Sequence, residues 1–263
     1  MVSEYLTHNR SLQELDELLE RDRTVAAKIA KTVFQHEVAT AISNIGEINQ
    51  IAGARILADS QVASAKMMTD AEITATILSS KAEVAICHIQ QHASDDADHT
   101  ETRQSMIAEI SRNTAEDIST NARKAVETIQ IEAMAAIERL KTNATEAIGE
   151  IRTLADDITA QVEHRANKAK TELESVKQQP RSLEGMAQQA EFDAKEILDA
   201  ALKSSQELHA AADRITADIN AMIDQATSAI SVAVSSSQRR VTEARDRALE
   251  RIQDIVAQFV PDP

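Results

Sequence analysis

Isoleucine and its apolar relatives recur along this chain at a fixed interval of eleven residues. In the central part, Ile107, Ile118, Ile129, Leu140, Ile151, Val162 and Leu173 follow one another at that spacing. Three further columns keep the interval: Ala122, Ala133, Ala144, Ala155 and Ala166; Ala125, Ala136, Ala147, Ile158 and Ala169; and Ala115, Val126, Ile137 and Ile148. Eleven residues make three turns at ~3.67 per turn, close to the ~3.6 of a straight α-helix, so the columns join into one stripe. At roughly 100° wide, the stripe matches a face packed against other helices. The spacing predicts an all-α fold of long helices in a straight or right-handed coiled coil, because a strict seven-residue repeat would impose the opposite hand.

The flanking thirds keep the period. Upstream, Phe34, Ile45, Ile56, Met67, Leu78 and Ile89 are spaced by eleven, accompanied by Ile51, Val62, Ile73 and Val84. Downstream, Ile197, Leu208, Ile219, Ile230, Val241 and Ile252 do the same, with Ala200, Ala211, Met222, Ala233 and Ala244 beside them. The steps from Ile89 to Ile107 and from Leu173 to Ile197 are not multiples of eleven, so the phase changes twice. The chain thus divides into an acidic N-terminal segment (1–22), helical blocks 23–89, 107–177 and 186–259, a polar interruption (90–106), a Pro/Gly hinge (178–185) and a short tail (260–263).

The two interruptions differ in kind. Pro180 removes a backbone donor and biases Gln179 away from the α region, so the hinge is a break, with Ser182 as the next cap and Gly185 weakening the turn after it. Residues 90–106 have no large apolar residue before Met106, but also no Gly or Pro. The missing breaker favours one continuous helix from Leu12 to Lys177; a turn there would instead give a three-helix antiparallel bundle. At the N-terminus, Ser11 and Glu14 have capping-box spacing and predict a helix start.

Composition narrows the function. Four Gly, three Pro, no Trp, one Tyr and three Phe in 263 residues are too few turn and strand formers for a β-rich or α/β enzyme. A net charge of −15 opposes contact with nucleic acid and with anionic membranes. No apolar run reaches the ~18 residues that span a bilayer, and the first residues lack the apolar core of a signal peptide. A lone cysteine, Cys87, excludes an intrachain disulfide and fits a reducing compartment. These features predict a soluble cytoplasmic chain.

Chemistry-bearing clusters are sparse. His88, His92, Asp95, Asp96 and His99 share one helical face, and His at i and i+4 with carboxylates a turn away could hold a divalent metal. A solvated polar layer at the phase change is the preferred reading, so no metal or cofactor is expected. Cys87, beside Ile89, reads as a small buried hydrophobe, and the methionines at positions 67, 68, 106, 134, 186 and 222 as core filler. No phosphate loop, paired-cysteine motif or nucleophile elbow is present, which predicts neither catalysis nor a small-molecule substrate.

A lone helix cannot bury such a stripe. The expected partner is the chain itself, through a self-association seam of Ile45, Ile56, Met67, Leu78, Ile89, Ile107, Ile118, Ile129, Leu140, Ile151, Val162, Leu173, Ile197, Leu208, Ile219, Ile230, Val241 and Ile252. The ends differ in charge: Glu14, Asp16, Glu17 and Glu20 lie in the acidic head, and Arg239, Arg240, Arg245 and Arg247 near the other terminus. Their attraction would make an end-to-end contact able to propagate a filament.

The first functional expectation is therefore a structural protein that self-assembles into cytoskeleton-like filaments, bundles or a spacer. In architecture it resembles bacterial intermediate-filament-like coiled-coil proteins, although those use mainly heptads and share no diagnostic motif with it. Eleven-residue periodicity is similar to that of apolipoproteins, and a phasin-like coat on a lipid or storage granule is the alternative; the small Ala-rich face and few flanking Lys make a membrane or granule surface the poorer fit. A signalling stalk resembling chemoreceptor helices is a third possibility, but the hairpin-tip sequence of those proteins is missing.

Overall fold

The computed structural model describes the backbone of residues 2–94, 100–177 and 184–260, and the side chains of residues 25, 28–94, 101–175 and 188–260. The elements among them are three long helices, α1 (Val2–Ser94), α2 (Thr100–Lys177) and α3 (Glu184–Phe259), with no strand among the described residues. None of these helices is long and apolar enough to cross a membrane.

The continuous helix from Leu12 to Lys177 is not what forms. α1 ends at Ser94 and α2 starts at Thr100, and the two pack antiparallel. Arg103 Nη1 donates to the Ala93 carbonyl over 3.2 Å, so the first turn of α2 lies against the end of α1. A cation there is favoured by the carbonyl end of the α1 dipole. The polar interruption is also shorter than 90–106, since both of its flanks are helical. Ser11 does not start a helix either: α1 is already helical at Val2, and no Gly or Pro separates Val2 from Ser11. Pro180 and Ser182 lie outside the described residues, while Gly185 falls within the first turn of α3.

The chain forms two compact units, Met1–Ala52 with Thr145–Asn220, and Gly53–Ala144 with Ala221–Pro263. Each takes a stretch of all three helices. In the first unit, Phe34, Val38 and Ile45 of α1, Ile151 and Val162 of α2, and Ile197, Leu208 and Ile219 of α3 are buried. Glu37 pairs with Arg165 across α1 and α2, and Thr159 Oγ1 meets His209 Nε2 at 3.3 Å across α2 and α3.

In the second unit, Ile56, Met67, Leu78 and Ile89 of α1, Ile107, Ile118, Ile129 and Leu140 of α2, and Ile230, Val241 and Ile252 of α3 are buried and form the core. Each fully buried Ile or Leu contributes about 1.5–3 kcal/mol, and the intervening Ala82, Ala122, Ala133, Ala226 and Ala233 let the helices approach. Helix direction is recorded in the cross-helix pairs. Asp59 with Asn143, Lys66 with Glu132, and Lys81 with Asp117 ascend α1 while descending α2. Glu72 with Arg240 (2.8 Å) and Glu83 with Arg251 (3.6 Å) ascend α1 and α3 together. α1 therefore runs antiparallel to α2 and parallel to α3. Gly53 of α1 lies close against α3, where a Cβ on it would be 2.7 Å from Met222 Sδ.

Candidate interaction surface

The stripe expected as a seam between copies is occupied within the chain. All of its residues from Ile45 to Ile252 are buried except Leu173, which is half-buried. What covers each is the other two helices of its own unit, because three amphipathic helices can close an apolar core among themselves. The column of Ala122, Ala133, Ala144, Ala155 and Ala166 is buried too.

The companion column of α1 behaves in the opposite way. Ile51, Val62, Ile73 and Val84 are 69%, 68%, 53% and 54% exposed. Each lies six residues past a core residue, and at about 98° per residue six steps turn the side chain to the outer side. In the second unit the outer face around Val62, Ile73 and Val84 is completed by small residues: Ala54, Ala65, Thr76 and Cys87 in one column, Ala58, Thr69 and Ser80 in the next. Thr69 and Thr76 donate their hydroxyls to the carbonyls of Ala65 and Glu72, each at 2.9 Å. Those hydroxyls are satisfied by the helix itself, leaving the threonine methyls as part of the outer surface.

Carboxylates keep to the flanks of this face. Glu72 and Glu83 lie on the α3 side, paired with Arg240 and Arg251; Asp59 and Asp70 lie on the α2 side, where Asp59 accepts from Asn143. Lys66 borders the same edge, 2.5 Å from Glu132, and the hydrogen bond and charge of that carboxylate hold its ammonium above the ordinary lysine value. An open groove of about 610 Å³ lies between α1 and α3, lined in part by Glu72, Arg240, Arg247 and Arg251.

Other expected site residues are dispersed or fall outside the described part. Asp95, Asp96 and His99 lie outside it; His88 is exposed and His92 half-buried, and no cluster able to hold a metal occurs among the described residues. Cys87 is exposed rather than a buried hydrophobe, because its place beside core Ile89 in the sequence puts it on the opposite side of the helix. Of the methionines, Met67 is core, whereas Met68, Met106 and Met134 are exposed and Met222 is half-buried; Met186 lies outside the described side chains. Arg239 is paired with Glu243 (3.7 Å), Arg240 with Glu72, and Arg245 with Asp246 (2.7 Å), while Arg247 Nε donates to the Glu243 carbonyl. Their expected counterparts Glu14, Asp16, Glu17 and Glu20 have side chains outside the described residues.

The sequence reading missed one feature, the outward apolar ridge of α1. Its signal was present as the offset of six between the two upstream columns.

The fold has a known likeness. Over 94% of this chain and 100% of the other, it is similar to a solved structure described as a computationally designed three-helix bundle, with a TM-score of 0.68 and 11% identity. That likeness concerns the fold alone. No protein-family model and no curated protein matches the chain.

Proposed function

We propose that this chain is a structural, self-associating helical protein of the cytoplasm, a building block for filaments, bundles or a rigid spacer, and not an enzyme. The observation that supports this reading best is the outer face of α1. Each unit already closes its core with its own three helix stretches, so the apolar side chains left outside are available for contact between molecules. Most of the described ionisable groups support it as well, since they lie along helix surfaces, several of them in ion pairs; the buried exception, Asp193, accepts a hydrogen bond from Gln189. Longitudinal growth would use the acidic head of one copy against the Arg239–Arg247 region of the next. Those arginines already have partners within the chain, so such a contact exchanges ion pairs and is weak and salt-sensitive.

Sedimentation velocity over a range of protein concentrations, with negative-stain microscopy at several salt concentrations, tests the reading. Concentration-dependent oligomers or filaments are expected. A species that stays monomeric up to high micromolar concentration overturns it. The same exposed residues on α1 favour one other reading, a coat on an apolar surface. That reading requires the protein to float with neutral phosphatidylcholine vesicles while remaining monomeric without them.

A further inference from the structure

The outer face of α1 in the second unit is complementary to itself in one orientation. It consists of two columns of unequal size on either side of a line of small residues, Ala58, Thr69 and Ser80. Val62, Ile73 and Val84 stand out as a ridge, and Ala65, Thr76 and Cys87 form the low column. When two identical helices pack in parallel about a twofold axis, each flank of one meets the opposite flank of the other; in antiparallel packing like flanks meet. Parallel packing therefore sets the ridge of each copy over the low column of its partner, as ridges fit into grooves. Antiparallel packing sets ridge against ridge.

Area and charge agree with that occupant. From Ala54 to Cys87 the face is about 50 Å long at ~1.5 Å per residue, and a helix contact is about 10 Å wide. Two copies would bury on the order of 1,000 Å², near the lower bound for specific association. Carboxylates are confined to the two flanks, so an acidic chain of net charge −15 can bring two such faces together without burying an acid. Small residues at the centre suit close approach of backbones, whereas a lipid surface would call for bulkier side chains and basic flanks.

We propose that two copies of this chain associate in parallel through the outer face of α1 between Ala54 and Cys87, the ridge of Val62, Ile73 and Val84 in each seating on Ala65, Thr76 and Cys87 of the other. This rests on the self-associating reading above and names its contact. In such a dimer the column of Ala58, Thr69 and Ser80 lies on the axis with the low column just beside it, so the two Cys87 side chains sit at one level across the axis, within reach of a disulfide.

Oxidation with diamide tests the geometry: two Cys87 thiols form a disulfide, and their two electrons and two protons pass to diamide, giving its hydrazine. A covalent dimer is expected on a non-reducing gel. Cys87→Ser should abolish it, and Thr76→Cys in that background, one repeat earlier in the same column, should restore it. Arg112→Cys on the exposed side of α2, in the same background, should not. The double variant Val62→Glu, Ile73→Glu should weaken association at least tenfold by sedimentation while keeping its helical circular dichroism, because both side chains are exposed in the single chain. If the protein oligomerises but the Cys87 and Thr76→Cys dimers do not form, or the double variant associates as tightly as the parent, this contact is wrong while the broader reading stands. A protein that is monomeric throughout overturns both, and flotation with phosphatidylcholine vesicles that depends on Val62 and Ile73 would assign the face to an apolar surface.

Discussion

Between Ala54 and Cys87 the outward side of α1 carries Val62, Ile73, Ile77 and Val84 among alanines and threonines, with Arg55, Lys66, Glu72 and Glu83 along its edges; over Ile107 to Leu140 the outward side of α2 carries Glu109, Arg112, Glu116, Arg123, Lys124, Glu127, Glu138 and Arg139, with Ile131 and Met134 among them. Inward, the two helices are alike, each placing a large aliphatic residue every eleven positions. The inner stripe closes the unit and is needed by any helix of the bundle. The outer surface is under no such demand, so charge on α2 keeps it solvated, whereas apolar residues at the same period on α1 form a second helical face that the chain's own helices leave uncovered.

The contrast can be broken most forcefully from inside. Replacing Ile129 and Leu140 by Asp puts unpaired carboxylates into the core and should cost at least ~4 kcal/mol, abolishing the cooperative thermal transition seen by circular dichroism. Glu127→Asp with Glu138→Asp, on the exposed side of the same helix, should change stability by less than about 0.5 kcal/mol. Equal effects from the two pairs would mean that the stripe is not the core.

A smaller effect separates the two outer faces. Ile73→Glu on α1 and Ile131→Glu on α2 both alter exposed isoleucines, and each should leave thermal stability at low concentration within about 0.5 kcal/mol of the parent. Only Ile73→Glu should weaken self-association. If Ile131→Glu weakens it as much, α1 is not the privileged face.

The glycines rank next. Gly149 and Gly46 have nothing within 4 Å of an added Cβ, so Gly149→Ala and Gly46→Ala should each stabilise by about 0.5–1 kcal/mol through helix propensity. Gly53→Ala should gain less, because the tip of Met222 must move aside. Chemical denaturation of the three variants checks the order, and a Gly53→Ala gain as large as that of Gly149→Ala would show that the α1–α3 approach is looser than described.

Surface ion pairs should matter least. A double-mutant cycle on Glu37 and Arg165 should give about 0–1 kcal/mol, shrinking with added salt. For Lys66 and Glu132 the sign follows from the raised lysine value: the pair's contribution is complete below the ordinary lysine value and lost as pH rises through the higher folded value. Titration of stability in the alkaline range, with Lys66→Gln as control, should show this loss in the parent alone.

The amino-acid sequence by itself determined the helices and their inward residues, because an eleven-residue period fixes the angle of every column around a straight helix. Ile107 to Val162, Ile45 to Ile89 and Ile197 to Ile252 are buried where that angle puts them. It also held, in an offset of six, the outward position of Val62, Ile73 and Val84. Only the tertiary structure decided what covers each stripe and that α2 turns back along α1. Local preference cannot distinguish a polar stretch of continuous helix from a reversal when neither Gly nor Pro is present. The reversal is favoured because folding back buries the stripes of three helices within one chain, a gain that arises between residues far apart in sequence and leaves no mark on the residues between Ser94 and Thr100.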